Sequence, residues 1–158
     1  MPLPRILCLD FDGALHPSTE VADFQDVGLP LLAYIQTRPQ LLRWGHLLNE
    51  AMSGSDCEVI VHSSWRNEVL DSDLRRLLKP SGLAERFVGS APRNMKREAA
   101  ILEVARVMGL GADELLIVDD AVDEFSALSS RLVVCNPLVG ISDPAVLALI
   151  RERLAAAD

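Results

Sequence analysis

The sequence has little cysteine and no pair of cysteines at short spacing. Cys8, Cys57 and Cys135 are the only three, far apart and without a CxxC motif, so neither a disulfide framework nor a zinc site is indicated. Cys8 and Cys135 lie within apolar runs, where a small core residue is the ordinary reading. Basic residues are also in short supply: 15 Lys and Arg stand against 23 Asp and Glu, a net charge of −8. That balance argues against unspecific binding to nucleic acid or to an anionic membrane surface, since both need a basic face. It leaves room for a local basic pocket. Long apolar runs are missing too. No stretch approaches the roughly 20 residues of a membrane span, and the first apolar run stops at Asp10 instead of continuing as a signal peptide. Repeats and low-complexity tracts are absent. The expected setting is a reducing cytoplasm.

What is present is an ordinary globular composition, with 49% hydrophobic and 24% charged residues in 158. This is most simply one domain, 1–158, large enough to bury roughly 70% of its unfolded surface. Apolar runs of strand length at 6–9, 57–62, 86–89, 114–118 and 132–135 alternate with segments of helical period. Helices are predicted at 39–52, despite Gly45, and at 67–79, capped by Asn67 and ended by Pro80 and Gly82. A third covers 95–108, with Ala99, Ile101, Leu102, Ala105 and Met108 on one side and Gly109 after it. A short one follows at 122–129, and Asp143 and Pro144 open a last one running to about residue 155. Residues 13–38, rich in Pro, Gly and acids, resist assignment and are expected to form a flap. Strands that read as continuous apolar runs between helices indicate an α/β fold, a three-layer, doubly wound parallel sheet of about five strands.

In such sheets ligands bind beyond the carboxyl ends of the strands. Asp10 and Asp12 follow the first strand in "LCLDFDGALH"; His62, Ser63, Ser64, Trp65 and Arg66 follow the second; Asp119 and Asp120 follow the fourth. Carboxylates gathered on one rim repel strongly and need a positive partner. Oxygen ligands without clustered His or Cys favour a hard cation, and Mg²⁺ suits a site completed by waters and a substrate phosphate. A strand-end serine to hold phosphate oxygens and a basic clamp near the helix before the fourth strand complete the parts of a phosphoryl-transfer site.

With these residues in place, "DFDGAL" (10–15), the serine of "VIVHSS" (59–64), Lys96 and "LLIVDD" (115–120) resemble the four ordered motifs of the haloacid dehalogenase superfamily. The likeness spans about 5–136. "FDGALHP" and "SSWR" are further similar to a branch of small capless proteins whose relatives occur as the phosphatase-like part of RNA repair proteins. The resemblance implies a Mg²⁺-dependent phosphatase. Asp10 would be the nucleophile and a metal ligand, and Asp12 the acid–base carboxylate with its backbone carbonyl on the metal. Ser63 would hold phosphoryl oxygens, Lys96 would balance charge, Asp120 would bind metal directly and Asp119 would orient bound water. Gly13 would permit the turn after the catalytic pair.

A one-residue slip would put Arg97 in place of Lys96, and the sequence leaves this open. His62 reads as a strand-end residue, His16 as a flap or loop histidine, and Asp123 and Glu124 as helix-opening acids. Ser64, Trp65 and Arg66 are expected to contact substrate at an open rim, with Trp65 and Arg66 as a platform for a terminal nucleotide. The substrate is then a phosphorylated molecule such as a nucleic-acid end. The alternatives are a small-metabolite phosphatase and a phospho-acceptor or binding module without turnover. The third strand ends in Gly89-Ser90-Ala91, without the acid that a phospho-acceptor domain needs there.

Overall fold

In the computed structural model, which describes residues 2–155, five parallel strands form one sheet. They are β1 (Ile6–Leu9), β2 (Glu58–Val61), β3 (Phe87–Ser90), β4 (Leu115–Asp119) and β5 (Leu132–Val134), in the order β3-β2-β1-β4-β5. The helices are α1 (Phe24–Val27), α2 (Leu31–Gln36), α3 (Gly45–Ala51), α4 (Asp71–Leu78), α5 (Arg97–Met108) and α6 (Pro144–Leu154).

Strand alternation divides the core in two. Leu7, Leu9, Val59, Val61, Leu116 and Val118 face one side, where α2, α3, α4 and α6 bring Tyr34, Leu48, Leu74 and Ile150. Ile6, Cys8, Ile60, Leu115 and Ile117 face the other, covered by Ala100, Ile101, Val104 and Ala105 of α5 with Phe125 and Leu128. Both faces are covered, as continuous apolar strands require. The fold is the doubly wound α/β sheet predicted from the sequence. Asp143 caps α6 by accepting the Ala145 amide at 2.9 Å with Pro144 next, and Gly109 ends α5 in the left-handed conformation.

Four helical predictions need correction. The 39–52 segment is helical only over Gly45–Ala51; residues 39–44 turn, and Leu42 takes a φ of +64°. Gly45 begins this helix and does not interrupt it, and the position favours glycine because a Cβ there would stand 2.6 Å from the Ser81 Cβ. In place of a helix from Asn67 there is a 3₁₀ turn at Ser64–Asn67, then α4 from Asp71. The Asn67 Oδ1 accepts the Asn94 amide at 2.9 Å and so latches two loops instead of capping a helix. The 122–129 helix is replaced by 3₁₀ turns at Val122–Glu124 and Ser129–Arg131. Finally, α5 is rotated from the predicted face: Ala100, Ile101, Val104 and Ala105 are buried, whereas Leu102 is 43% exposed and Ala99 and Met108 are exposed. The 13–38 segment, left unassigned by its composition, holds a 3₁₀ turn, α1 and α2. Asp23 clasps it by accepting the Tyr34 hydroxyl and pairing with Arg38, both at 2.5 Å.

Candidate active site

The strand order leaves β1 in the centre, with β2 on one side and β4 on the other, so the residues after these three strands meet. The chain keeps sheet register one step past β1, the Asp10 amide donating to Val118 O at 3.0 Å and the His62 amide to Leu9 O at 3.1 Å. Asp10, His62 and Asp119 are thereby delivered side by side. Asp10 is 1% exposed. One carboxylate oxygen from each of Asp10, Asp119 and Asp120 lies within 4.8 Å of the others. Among the described residues, neither oxygen of Asp10 receives a well-directed hydrogen bond.

Among the described residues, the cation that pairs with this cluster is Arg97. Its Nη1 lies 3.0 Å from Asp10 Oδ2 and donates to both oxygens of Asp119 at 2.8 and 2.9 Å. Lys96 is exposed at the N-terminal boundary of α5 and forms no ion pair among the described residues. The slip by one residue is therefore what the helix produces: Arg97 is its first residue, turned inward, while Lys96 precedes it. With all three carboxylates ionised, the single guanidinium would leave two negative charges uncompensated.

Asp119 is fully engaged. Its Oδ2 accepts His62 Nε2 at 2.6 Å and its Oδ1 accepts the Ala121 amide at 2.8 Å, besides Arg97. Burial alone would raise its pKa, but the His62 hydrogen bond, the Arg97 charge and the Ala121 amide outweigh it and hold Asp119 well below the usual carboxylate range. Burial pushes His62 below the ordinary histidine range, and its Nδ1 has no partner among the described residues. Facing a carboxylate, Nε2 carries a proton and donates it to Asp119. Asp10 and Asp120 shift the other way: burial, then repulsion from Asp119, raises both. Two carboxylates that resist ionisation beside a third that stays charged form a site lacking positive charge.

Asp12 stands apart from that cluster. Its Oδ1 is 2.7 Å from His16 Nε2 and its Oδ2 accepts Trp65 Nε1–H at 3.1 Å. The pattern of the sequence offered only a hint of the first contact, the four-residue spacing of Asp12 and His16 in "DFDGALH". Gly13 has φ +81°, and a Cβ there would collide with the Asp120 carboxylate, so glycine both makes the turn and admits the fourth-strand acid. Ser63 is buried after β2, its Oγ accepting the Trp65 amide at 3.3 Å. Ser64 is exposed. Asp123 is exposed and lies outside the carboxylate cluster.

The expectation of a Trp65–Arg66 platform on an open rim is not met. Both residues are 2% exposed. Trp65 packs edge-on against Phe11 with ring centres 5.0 Å apart, and Arg66 donates to the carbonyls of His62, Ser63, Pro92 and Met95. Arg66 ties the strand end to the loop before α5 and has no face left for a substrate. Asp10 itself is covered. What opens beside the site is a cavity of about 480 Å³ lined by Asp12 and Trp65, by Val21, Phe24 and Leu31 of the 13–38 segment, and by Ser64, Asn67 and Asn94.

A family model described as the HAD domain in Swiss Army Knife RNA repair proteins matches residues 6–146, and so covers β1 to the first turn of α6. The chain belongs to this family. HAD domains form a hydrolase superfamily composed largely of phosphatases. Among curated proteins and solved structures, none matches the chain. Within this HAD domain, no helix among the described residues is long and apolar enough to cross a membrane.

Proposed function

We propose that this HAD domain is a Mg²⁺-dependent phosphomonoesterase that acts through an aspartyl phosphate on Asp10. The observation that carries this reading is the Asp10 carboxylate, buried and without a hydrogen bond at a rim where three acids meet one guanidinium. The oxygen donors fit a hard divalent cation, whose charge matches the two left uncompensated. Asp10 and Asp120 would hold it with the Asp12 backbone carbonyl, while Asp119, already engaged, keeps Arg97 in place and orients bound water. When bound, Mg²⁺ supplies neutralisation of the acids and polarisation of the phosphate oxygens.

The remaining chemistry falls to this chain's residues. Asp10 attacks phosphorus as the bond to the leaving alcohol breaks. The departing oxygen takes a proton from Asp12. Asp12 then removes a proton from water, which attacks phosphorus and returns the electron pair to Asp10. Arg97 and the Ser63 hydroxyl hold the phosphoryl oxygens.

For substrate we favour a terminal phosphate on RNA or a similar nucleic-acid end, on two grounds: the family's occurrence in RNA repair proteins and the cavity beside Asp12. Phe24 offers a stacking face and Asn67 and Asn94 offer carboxamides, while the cavity lining contains no Lys or Arg. It suits a terminal nucleoside, not a phosphodiester backbone. The deciding test compares kcat/KM on 3′- and 5′-phosphorylated oligonucleotides with that on sugar phosphates, for the wild type and Phe24→Ala. A preference for the oligonucleotide that Phe24→Ala diminishes supports the reading; better turnover of the sugar phosphates refutes it. Asp10→Asn should abolish phosphate release on every substrate, and activity within tenfold of wild type would remove Asp10 as nucleophile.

A further inference from the structure

We infer that His16 and Trp65 are positioning residues that together fix the Asp12 carboxylate for proton transfer, an inference that rests on the acid–base role proposed for Asp12. Each carboxylate oxygen is taken by a different ring: Oδ1 by His16 Nε2 at 2.7 Å, Oδ2 by Trp65 Nε1–H at 3.1 Å. Neither ring is free to move. His16 is fully buried and Trp65 nearly so, their centres 5.6 Å apart, with Phe11 against the indole at 5.0 Å.

The imidazole is itself held. Its Nδ1 lies 3.2 Å from the Leu42 amide, which can only donate, so Nδ1 accepts and the ring proton sits on Nε2, facing Asp12. That amide belongs to the residue with φ +64°, a conformation uncommon for leucine. The adjoining backbone is tied to the same turn, the Leu15 carbonyl accepting the Trp44 amide at 3.0 Å, while the His16 carbonyl accepts the Gly13 amide at 2.9 Å. The chain 42–16–12 thus runs from the turn before α3 to the rim, and the 63–66 turn after β2 closes the clamp from the other side.

Two donors leave Asp12 with one unused lone pair on each oxygen. Those sites take the proton that the leaving oxygen will receive, and later the proton from water. The side chain is a quarter exposed and lines the cavity between the 13–38 segment and the 64–67 turn, where a leaving alcohol fits. Without the clamp the carboxylate would rotate about χ2, and the acid would be aligned for only a fraction of encounters.

The test exploits leaving groups. An alkyl phosphate needs protonation as its alcohol departs, whereas a nitrophenyl phosphate does not, and kcat/KM reports the steps up to release of that group. His16→Ala and Trp65→Phe should each lower the alkyl-to-nitrophenyl ratio of kcat/KM about tenfold, with Asp12→Asn the benchmark for complete loss. An equal fall on both esters would show general damage and overturn the inference, as would an unchanged ratio. A readout without turnover separates this from the functional reading. In the nuclear magnetic resonance spectrum the Trp65 indole N–H and His16 Nε2–H signals should shift on Asp12→Ala; if neither moves, the clamp is wrong even in an active enzyme. If both move while the wild type releases no phosphate from either ester, the clamp stands and the phosphatase reading fails.

Discussion

At Gly13 a single methyl group meets two obstacles at once. The backbone is left-handed, which costs an L-residue about 1–2 kcal/mol, and the Cβ would strike the Asp120 carboxylate. Gly13→Ala should therefore lower unfolding stability by more than about 1 kcal/mol and displace Asp120; urea denaturation within 0.5 kcal/mol of wild type would contradict this geometry. Glu98 makes the opposite kind of contribution. It accepts the amides of Ser126 at 2.7 Å, Leu128 at 3.1 Å and Ala127 at 3.4 Å, pinning the loop that carries Phe125 and Leu128 onto α5. Burial is the largest single influence and pushes its pKa up, but the amides of Leu128, Ser126 and Ala127 and the Ser126 hydroxyl together outweigh burial and lower it. A carboxyl with a lowered folded pKa stabilises above its unfolded pKa and loses that contribution as pH falls through the folded value. Glu98→Gln should hence be less stable than wild type at pH 7, and the gap should close on acidification below about pH 4, the usual glutamate range. A gap that stays constant from pH 7 to 3 would show that charge is not involved. Residue roles such as these were only partly legible. Asp10, Asp12 and Asp120 announce themselves by position after strands, but what binds Asp12 depends on a tryptophan 53 residues away, and no local pattern carries that.

Among the elements, the strands were the easiest to read, because a buried parallel strand is an unbroken apolar run whose meaning does not depend on facing. Helices were harder for the opposite reason. The α5 segment is apolar nearly all round, so several stripes compete, and the sheet selects Ala100, Ile101, Val104 and Ala105, whose small alanines allow close approach. That same choice of face turns Arg97 inward and leaves Lys96 outside. At α3 local propensity misleads in another way. Glycine reads as a helix breaker, yet Gly45 is where the helix begins and where Ser81 crosses it. Gly45→Ala should gain up to about 1 kcal/mol of helix propensity and lose about 1–3 kcal/mol to overpacking, a net destabilisation. Adding Ser81→Gly should recover it, since the clash is with the Ser81 Cβ. Thermal denaturation of both single variants and the double decides the matter, and simple additivity would show that the two positions do not meet.

For the whole molecule, the sheet concentrates charge where it is least welcome. A chain of net charge −8 assembles three acids at the carboxyl edge of its central strands, two of them fully buried, with one arginine to offset them. Folding must bring these charges together, and their repulsion is strong at low effective dielectric. With no further positive charge beside Arg97 among the described residues, the fold is accordingly strained at this rim. Removing one of the acids should relieve that strain, so Asp120→Asn in excess chelator should melt above wild type in the same solution. Mg²⁺ should reverse the order. A cation that binds the folded chain alone stabilises it by about 2.7 kcal/mol at a hundredfold excess over Kd, which for a domain of this size raises Tm by roughly 5–10 °C. Asp10→Asn and Asp120→Asn, short of one rim carboxylate each, should gain much less. Calorimetry of the three proteins with and without Mg²⁺ tests the balance without any assay of turnover. If the wild type melts at the same temperature in chelator and in Mg²⁺, the rim binds no cation under those conditions, and the charge must be met by Arg97 and by protonation of Asp10 or Asp120. A wild type that outlasts Asp120→Asn only when Mg²⁺ is present would tie the repulsion to the metal that relieves it.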